Sequence, residues 1–409
     1  MTSAVHAVGG SRPEWPYGPD LAQLAGDGWR PVPFRQFVLK LHSRCNLACT
    51  YCYLYTMADQ SWRAKPKVMA RAVIDQACRR IAAHASTHGL DEVEVVLHGG
   101  EPLLAGMETI GYTAESLRQH LPAAVRLGLR VQTNGLLLDE PMLRTLAAHQ
   151  VHIGVSLDGD RQTHDARRQH ADGRGSFDAV RAALQLLNRL HPELFAGLIC
   201  TIDLRTDPVT TYEALLEFAP PAVDLLLPHG NWTNPPPGRR PADPGAPYGE
   251  WLAAVFDRWY RPAPETEIRF LREIITLAIG GWSRVESIGL SPVALLVIDT
   301  DGELEQVDTL RSAFDGASQT GLTVFTDAFD TALRHPGVVA RQIGRAALSD
   351  QCLACPVHRI CGGGYYPHRY LEGAGFRQPS VYCRDLRFLI DHVVARVRTD
   401  LAALVAQRS

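Results

Sequence analysis

The chain has 409 residues, a length that predicts roughly two or three domains. Hydrophobic residues make up 46% and charged residues 21%, which is ordinary globular composition and argues against wholesale disorder. The formal net charge of −3 gives no electrostatic reason to expect a nucleic-acid partner.

Targeting signals are not evident in the sequence. Residues 1–18 lack a basic stretch followed by an apolar one, so we expect no secretory signal. No run of about 18 apolar residues predicts a membrane span. The nine cysteines are clustered, and in a large chain without an export signal such clusters indicate metal ligands before disulfides. We therefore expect a cytoplasmic protein with no membrane partner.

Strand-like and helix-like segments alternate through the first half of the chain, after a Gly- and Pro-rich arm at 1–33. Strands that end in polar or glycine turns are predicted at 34–42, 92–102, 129–135, 151–159, 195–203 and 222–230. Helical periodicity is clearest at 69–84, 175–190 and 213–218. This alternation predicts an α/β fold whose parallel sheet forms an open or partial barrel over 34–230.

The second half of the chain is less regular. Residues 231–249 form a Pro/Gly-rich linker, and helices are predicted near 249–260 and 266–280. Residues 294–310 predict a hairpin around Thr-Asp-Gly, and residues 387–407 predict a terminal helix. We therefore expect a linker with bridging helices at 231–290 and a further domain at 291–409.

A short loop after the first predicted strand holds three cysteines. In HSRCNLACTYCYLY, residues 42–55, Cys45, Cys49 and Cys52 stand four and three residues apart. Thiolates favour zinc or iron–sulfur clusters, and an ordinary cluster takes four cysteines. Three cysteines would leave one iron open to a small chelating molecule, by the logic of an open zinc position. A zinc site completed by His42 is the alternative, which the spacing disfavours.

This loop and several later motifs, in the same order, resemble the radical S-adenosylmethionine (SAM) enzymes. CNLACTYC is similar to their cluster motif, and HGGEP (98–102) to the turn that binds the SAM amino group. QTNG (132–135), SLDG (156–159) and HDARR (164–168) are similar to the segments that contact its ribose and carboxylate. The resemblance implies a partial (β/α)6 TIM-like barrel, a [4Fe–4S] cluster bound to SAM, and an external electron donor of the flavodoxin or ferredoxin type.

The resemblance also implies a set of SAM contacts: Tyr51, Gly99, Gly100, Glu101, Asn134, Ser156 and Arg168. The glycines would let the backbone approach the ligand closely. Glu101 would accept from the methionine amine, and Arg168 would pair with the methionine carboxylate through its bidentate fork. From the residues alone, Glu101 also fits a helix N-terminal acid, and Arg167 could replace Arg168. Tyr51 would lie beside the adenine or would simply pack.

Four further cysteines lie in the tail. Cys352, Cys355 and Cys361 form C-x2-C-x5-C, and Cys383 follows 22 residues later. Four thiolates can close a site fully, and on spacing alone structural zinc fits almost as well as a cluster. The tail resembles the SPASM domain of radical SAM peptide maturases, whose standard form carries two auxiliary [4Fe–4S] clusters. The resemblance makes these four cysteines the ligands of one of them.

The tail departs from that pattern at the ligands of the other auxiliary cluster. The usual cysteine four residues after Cys361 is Tyr365, and the cysteine of the usual G-x4-C is Val307, after Gly302. A cysteine that precedes this glycine is missing as well. We therefore predict one auxiliary [4Fe–4S] cluster, and two clusters in all.

Asp308 directly follows the missing cysteine at 307. In the related sulfatase-maturating enzymes the residue at this place is an Asp that takes a proton from the substrate, so the resemblance implies that Asp308 is the general base. A carboxylate serves this role where it lies within hydrogen-bond reach of the proton. The alternative is a turn residue at the end of a hairpin.

The string CGGGYYPHRY, residues 361–370, is the most distinctive part of the tail. Together with the lost cluster, it resembles the FxsB-like branch, which installs three-residue cyclophanes in ribosomally made peptides. The implied reaction takes a hydrogen from a β-carbon and joins that carbon to an aromatic ring two positions earlier. One further electron and one proton then leave the ring. His368 and Arg369 would contact the peptide or pack the cluster loop.

The expected function is therefore a radical SAM cyclase that acts on a precursor peptide. An alternative in the same class is a sulfatase-type maturase that makes formylglycine, or a thioether-forming enzyme. A non-catalytic iron–sulfur scaffold or redox sensor is the alternative of another class. Such a protein has no need of GGEP, QTNG and SLDG in series.

Overall fold

The computed structural model describes residues 14–240, 243–260 and 264–408. The first 13 residues of the predicted arm lie outside these ranges. Ten strands occur in them: β1 (Gln36–His42), β2 (Glu92–Gly99), β3 (Arg126–Thr133), β4 (His152–Ser156), β5 (Phe195–Thr201), β6 (Ala222–Leu226), β7 (Glu267–Ile268), β8 (Leu295–Ile298), β9 (Glu303–Glu305) and β10 (Gln319–Thr323).

Fourteen α-helices occur in the same ranges: α1 (Leu21–Gly26), α2 (Arg71–Thr87), α3 (Gly106–His120), α4 (Glu140–Ala148), α5 (Arg161–Asp165), α6 (Phe177–Leu190), α7 (Pro208–Leu216), α8 (Pro247–Trp259), α9 (Arg269–Ala278), α10 (Phe329–Ala332), α11 (Pro336–Ala340), α12 (Asp350–Leu353), α13 (His358–Cys361) and α14 (Cys383–Arg408). Short 3-10 helices join them at Ser61–Arg63, Pro102–Ala105, Pro192–Leu194, Asp308–Ser312, Gly344–Ala347 and Tyr366–Arg369. No helix of the described residues is both long and apolar enough to span a membrane.

All ten strands belong to one sheet, in the order β10-β9-β8-β1-β2-β3-β4-β5-β6-β7. The strands from β8 to β7 in this order pair in parallel, as the alternation of strands and helices predicts. The predicted hairpin is confirmed, because β8 and β9 pair antiparallel. Since β8 also pairs with β1, the sheet continues from the 34–230 segment into the tail. The domain boundaries themselves stay predictions.

Local sequence explains where several helices begin. The carboxylate of Asp139 accepts from the amide of Met142 at 2.9 Å and caps α4, and Asp207 caps α7 in the same way through Thr210 at 2.8 Å. The prediction for α7 began too late, at residue 213, because its first turn is polar and lacks apolar periodicity. The final helix begins at Cys383, earlier than predicted, which places the last tail cysteine at a helix N-terminus.

The parallel order decides where a site can form. The carboxyl ends of β1 to β6 all open onto one edge of the sheet, and the loops that follow them meet there. The predicted motifs lie at these ends. The cysteine loop follows β1, the GGEP turn follows β2, and QTNG and SLDG follow β3 and β4.

Candidate active site

The loop after β1 carries Cys45, Cys49 and Cys52, which are partly buried and not joined in disulfides. The amide of Leu47 donates to Cys45 Sγ at 3.4 Å. Burial raises the pKa of Cys45 to about 12 and that of Cys52 to about 11. Metal ligands must be thiolates, and a bound metal supplies the positive charge that stabilises them. Without a metal these thiols keep their protons, and binding of a metal centre would release them.

The sulfur spacing distinguishes a cluster from a zinc ion. In the described residues, only His84, His88 and Asp330 bring three or more ligand atoms of His, Cys, Asp or Glu within 4.8 Å of one another. Two thiolates on one tetrahedral zinc, each at about 2.3 Å, would lie only about 3.8 Å apart. No three of the sulfurs are that close, so both cysteine groups fit ligands spread over several irons better than ligands of one zinc ion.

The GGEP turn lies directly against the cysteine loop. Gly99 has a φ of 145°, and a Cβ atom there would lie 2.2 Å from the carbonyl oxygen of His42. At Gly100 a Cβ atom would lie 1.8 Å from the Tyr55 hydroxyl and 2.6 Å from the backbone of Arg44. The amide of Gly100 donates to the His42 carbonyl at 2.8 Å. In the described residues, the two glycines therefore allow the GGEP turn to lie directly against the cysteine loop.

Glu101 follows the glycines and is buried. Its Oε1 accepts from the Thr133 hydroxyl at 2.7 Å and from the Leu103 amide at 3.0 Å, and its Oε2 accepts from the Asn134 amide at 2.8 Å. The bond to Leu103 caps the short 3-10 helix that follows, so Glu101 also has the alternative role predicted for it, that of a helix N-terminal acid. A carboxylate has about four acceptor positions, so one remains for a further donor. Burial raises the pKa of Glu101, a cost that a bound ammonium group would offset.

The sequence left two candidates, Arg167 and Arg168, for the contact with the methionine carboxylate. Arg168 is the one whose guanidinium lies beside the cysteine loop. Its Nη1 donates to the Tyr51 hydroxyl at 2.7 Å, and that hydroxyl donates to Asp158. Its Nε is buried and has no hydrogen-bond partner in the described residues. Arg167 instead pairs with Asp203, at 3.0 Å. Arg168 is therefore the arginine with a donor free for a carboxylate.

Two smaller polar residues stand at neighbouring strand ends. Asn134 donates through Nδ2 to Asn46 Oδ1 at 2.7 Å and approaches Cys45 Sγ at 3.7 Å. Ser156 accepts from Gln132 Nε2 at 3.1 Å. Both lie on the edge that carries the cysteine loop, as predicted.

The four tail cysteines surround one cavity. A cavity of about 110 Å³ is lined by Cys352, Cys355, Cys361 and Cys383 together with neighbouring side chains. Burial raises the pKa of Cys361 to about 12. Four thiols around one enclosed space, without the mutual spacing of zinc ligands, fit a closed iron–sulfur site.

Asp308 begins the short helix after Val307 and is buried. Its Oδ2 lies 3.7 Å from His98 Nδ1, and neither atom has a hydrogen-bond partner within the described ranges. Burial opposes ionisation, but Lys40, His98 and Arg311 outweigh it and lower the pKa of Asp308. The group is therefore a carboxylate at neutral pH and is able to accept a proton.

Aromatic side chains enclose this carboxylate. The rings of Tyr53 and His229 lie 4.7 Å apart, and His229 lies 6.3 Å from Tyr365 and 5.7 Å from His368. His229 Nδ1 and His368 Nε2 are buried without partners among the described residues. Buried polar atoms normally have partners, so these atoms indicate a place where a ligand or ordered water belongs.

The places of the missing cysteines are filled by packed side chains. Val307 packs with Leu310, Ala313 and Tyr366 in a separate small hydrophobic cluster. The Tyr365 hydroxyl shares a hydrogen bond of 2.6 Å with the Thr309 hydroxyl. Neither position offers a soft ligand, which agrees with the prediction of one auxiliary cluster.

Sequence reasoning missed several residues of this region. Asp158 lies inside SLDG and holds Tyr51, yet only Ser156 of that motif was predicted. His98 stands at the end of β2, directly before the glycines, and His229 follows β6. Their positions at the ends of buried strands could have identified them as candidate site residues. Arg369 donates to the Gly362 carbonyl at 2.6 Å, which fits packing of the cluster loop and not contact with a substrate.

Residues 39–215 match the family model of the Radical SAM superfamily. A cysteine-type anaerobic sulfatase-maturating enzyme of Clostridium perfringens is 22% identical over 377 residues, which cover 89% of this chain and 97% of that protein. A serine-type enzyme of Klebsiella aerogenes is 24% identical over 372 residues, which cover 86% of this chain and 84% of that protein.

Solved structures share the fold. Native anSMEcpe with bound AdoMet matches with a TM-score of 0.76 at 21% identity, over 89% of this chain and 98% of that chain. Streptococcus suis SuiB matches with a TM-score of 0.58 at 16% identity, over 88% and 79%. The predicted α/β fold with a partial barrel is confirmed, and the cysteine-rich tail is consistent with a SPASM-type domain.

Proposed function

We propose that this chain is a radical SAM enzyme that modifies side chains of a peptide or protein, because residues 39–215 match the family model of the Radical SAM superfamily. One observation carries the proposal. The three-cysteine loop lies close to the buried Asp308, because Tyr53, the residue after Cys52, interacts with the Asp308 carboxylate. Named relatives mature sulfatases, and solved relatives include a complex with a precursor peptide, which supports a peptide substrate.

The proposal assigns a cofactor to each cysteine group. Cys45, Cys49 and Cys52 would hold a [4Fe–4S] cluster that binds SAM, and the four tail cysteines would hold one auxiliary [4Fe–4S] cluster. When bound and reduced by an external flavodoxin or ferredoxin, the first cluster with SAM supplies a 5′-deoxyadenosyl radical. The cavity lined by the four tail cysteines and the sulfur spacing support these assignments.

The residues around the loop would bind and orient SAM. Glu101 would give its remaining acceptor position to the methionine ammonium, and the free Nε of Arg168 would donate to the methionine carboxylate. Ser156 and Asn134 would contact the ribose or carboxylate from the adjoining strand ends. Tyr51 would orient Arg168 through their hydrogen bond, beside the adenine.

Asp308 would remove the proton that the substrate loses. After a hydrogen atom leaves a carbon of the substrate, the product forms by loss of one more electron and one proton. The carboxylate would accept the proton. An auxiliary cluster held by the four tail cysteines would supply the acceptor for the electron. Burial of Asp308 limits the access of bulk water to this carboxylate.

Two products are compatible with this chemistry. The sulfatase-maturating relatives favour the alternative, the oxidation of a cysteine or serine side chain to formylglycine, over cyclophane formation. A specific observation supports the cyclophane as a second candidate. Val307 and Tyr365 are packed in the fold and leave no ligands for a second auxiliary cluster, and this departure accompanies the FxsB-like string.

One experiment tests the function and separates the products. The enzyme is co-expressed with a sulfatase-type peptide and, separately, with any small peptide encoded beside its gene. Each peptide is analysed by mass spectrometry before and after treatment with an aldehyde-reactive hydrazide. A peptide that contains formylglycine reacts with the hydrazide. A peptide with a cyclophane has two hydrogens fewer, does not react with the hydrazide and resists fragmentation between the linked residues. SAM cleavage to 5′-deoxyadenosine must disappear in Cys49→Ala and persist in Cys78→Ala, a buried thiol outside the site.

A further inference from the structure

His84, His88 and Asp330 form a group far from the candidate active site. His84 and His88 stand one turn apart near the end of α2, and Asp330 lies on α10. Because helices of a parallel α/β fold run opposite to the strands, this end of α2 lies at the other edge of the sheet. His84 Nδ1 lies 3.1 Å and His88 Nε2 lies 2.8 Å from Asp330 Oδ1.

These separations are close to those around a metal ion. The three ligand atoms all lie within 4.8 Å of one another. Two nitrogen or oxygen ligands at about 2.0 Å from a tetrahedral zinc stand about 3.3 Å apart. The two distances to Asp330 Oδ1, 3.1 Å and 2.8 Å, lie within about half an ångström of this value. Asp330 is half exposed, so water can reach a fourth position.

The surroundings of His84 favour a bound metal over a hydrogen-bond network. Without a metal, a neutral His84 donates its Nδ1 proton to Asp330 and leaves Nε2 buried with no hydrogen-bond partner in the described residues. The rings of Phe34 and Phe37 lie 5.9 Å and 6.1 Å away. With a metal on Nδ1 the proton moves to Nε2, where the N–H can interact with the backbone of Phe34.

We propose that His84, His88 and Asp330 bind one divalent transition-metal ion of the zinc type, with water as the fourth ligand. Imidazole nitrogen and carboxylate oxygen are ligands that zinc uses, and two histidines one turn apart on a helix can share one ion. The ion would cross-link α2, which follows the first strand of the barrel, to α10 in the tail. It has no part in the proposed radical chemistry.

The test measures zinc and iron together. Anaerobically iron-loaded chain is dialysed against a small excess of Zn²⁺, and both metals are counted by mass spectrometry in wild type, His88→Ala and Asp330→Asn. His191→Ala is the matched control, because His191 pairs with Glu193 at 3.2 Å but belongs to no such three-ligand group within the described residues. Thermal melting with and without Zn²⁺ is recorded for all four proteins.

Wild type and His191→Ala should hold about one more zinc per chain than the two site variants, at equal iron. Zinc should raise the melting temperature of wild type and His191→Ala only, because a ligand stabilises the state that binds it. Equal zinc in all four proteins, or none in wild type, would overturn the proposal. If zinc enters only as iron leaves, it has gone to the cysteines and the proposal also fails.

Discussion

Replacing Asp308 by Asn tests the proposed proton acceptor with almost no change of shape. The amide cannot take up a proton, and general-base catalysis is worth about 100- to 10,000-fold, or about 2.7 to 5.4 kcal/mol of barrier. Product formation should fall by that factor, while 5′-deoxyadenosine is still formed because the residues proposed to bind SAM are unchanged. Both products are measured by chromatography and mass spectrometry in single-turnover reactions.

The pH dependence adds a second measure of Asp308. Its lowered pKa means that the carboxylate is present throughout the usual range and is lost only as the pH falls through that folded-state pKa. Product formation should therefore not decline because of Asp308 between about pH 5 and 8. Asp301→Asn, in the turn of the same hairpin, is the control and should react at the wild-type rate. An Asp308→Asn enzyme with wild-type product yield, or one that has lost its iron, would refute the role.

Three further outcomes are expected. Reconstituted wild type should carry about eight irons, as two four-iron clusters require. About twelve irons would mean a third cluster, and about four irons with one zinc would mean that the tail cysteines bind zinc. Arg168→Ala should weaken SAM binding by about 10- to 100-fold, the range for hydrogen bonds to charged groups, and Arg167→Ala should not; equal losses in calorimetric titrations would contradict the assignment. Gly100→Ala should lose about half the iron, because its Cβ would collide with the cysteine loop, whereas Gly26→Ala, with open space, should keep it.

Local patterns predicted the parts of the site that lie on one segment. The strand that ends at His42 and the cysteines that follow it are adjacent in sequence, so alternation and spacing were enough to place them. The GGEP turn was placed for the same reason. What those glycines approach was not predictable, since the approaching loop lies more than fifty residues earlier and only strand pairing brings it there.

Contacts between distant segments could not be predicted from one sequence. Tyr51 meets Asp158 and Arg168 across 107 and 117 residues, and each looks like an ordinary loop residue by itself. The lowered pKa of Asp308 also depends on Lys40, which belongs to β1. Such electrostatic effects arise only after the sheet has aligned its strands, and periodicity carries no information about them.

The packing around Asp308 explains how this carboxylate, the proposed proton acceptor, can keep its place without a neighbouring metal ligand. In the related pattern the preceding residue is a cysteine, whereas here Val307 is fixed by a small hydrophobic cluster. Three residues on, Arg311 is buried and pairs with Asp59, Asp299 and Glu305, which come from three other segments. These ion pairs anchor the short helix that begins at Asp308. Glu305 is shared between Arg311 and Lys40. Glu305→Gln would weaken both contacts, so it should loosen the position of Asp308 and lower product yield even though it touches neither cysteine group.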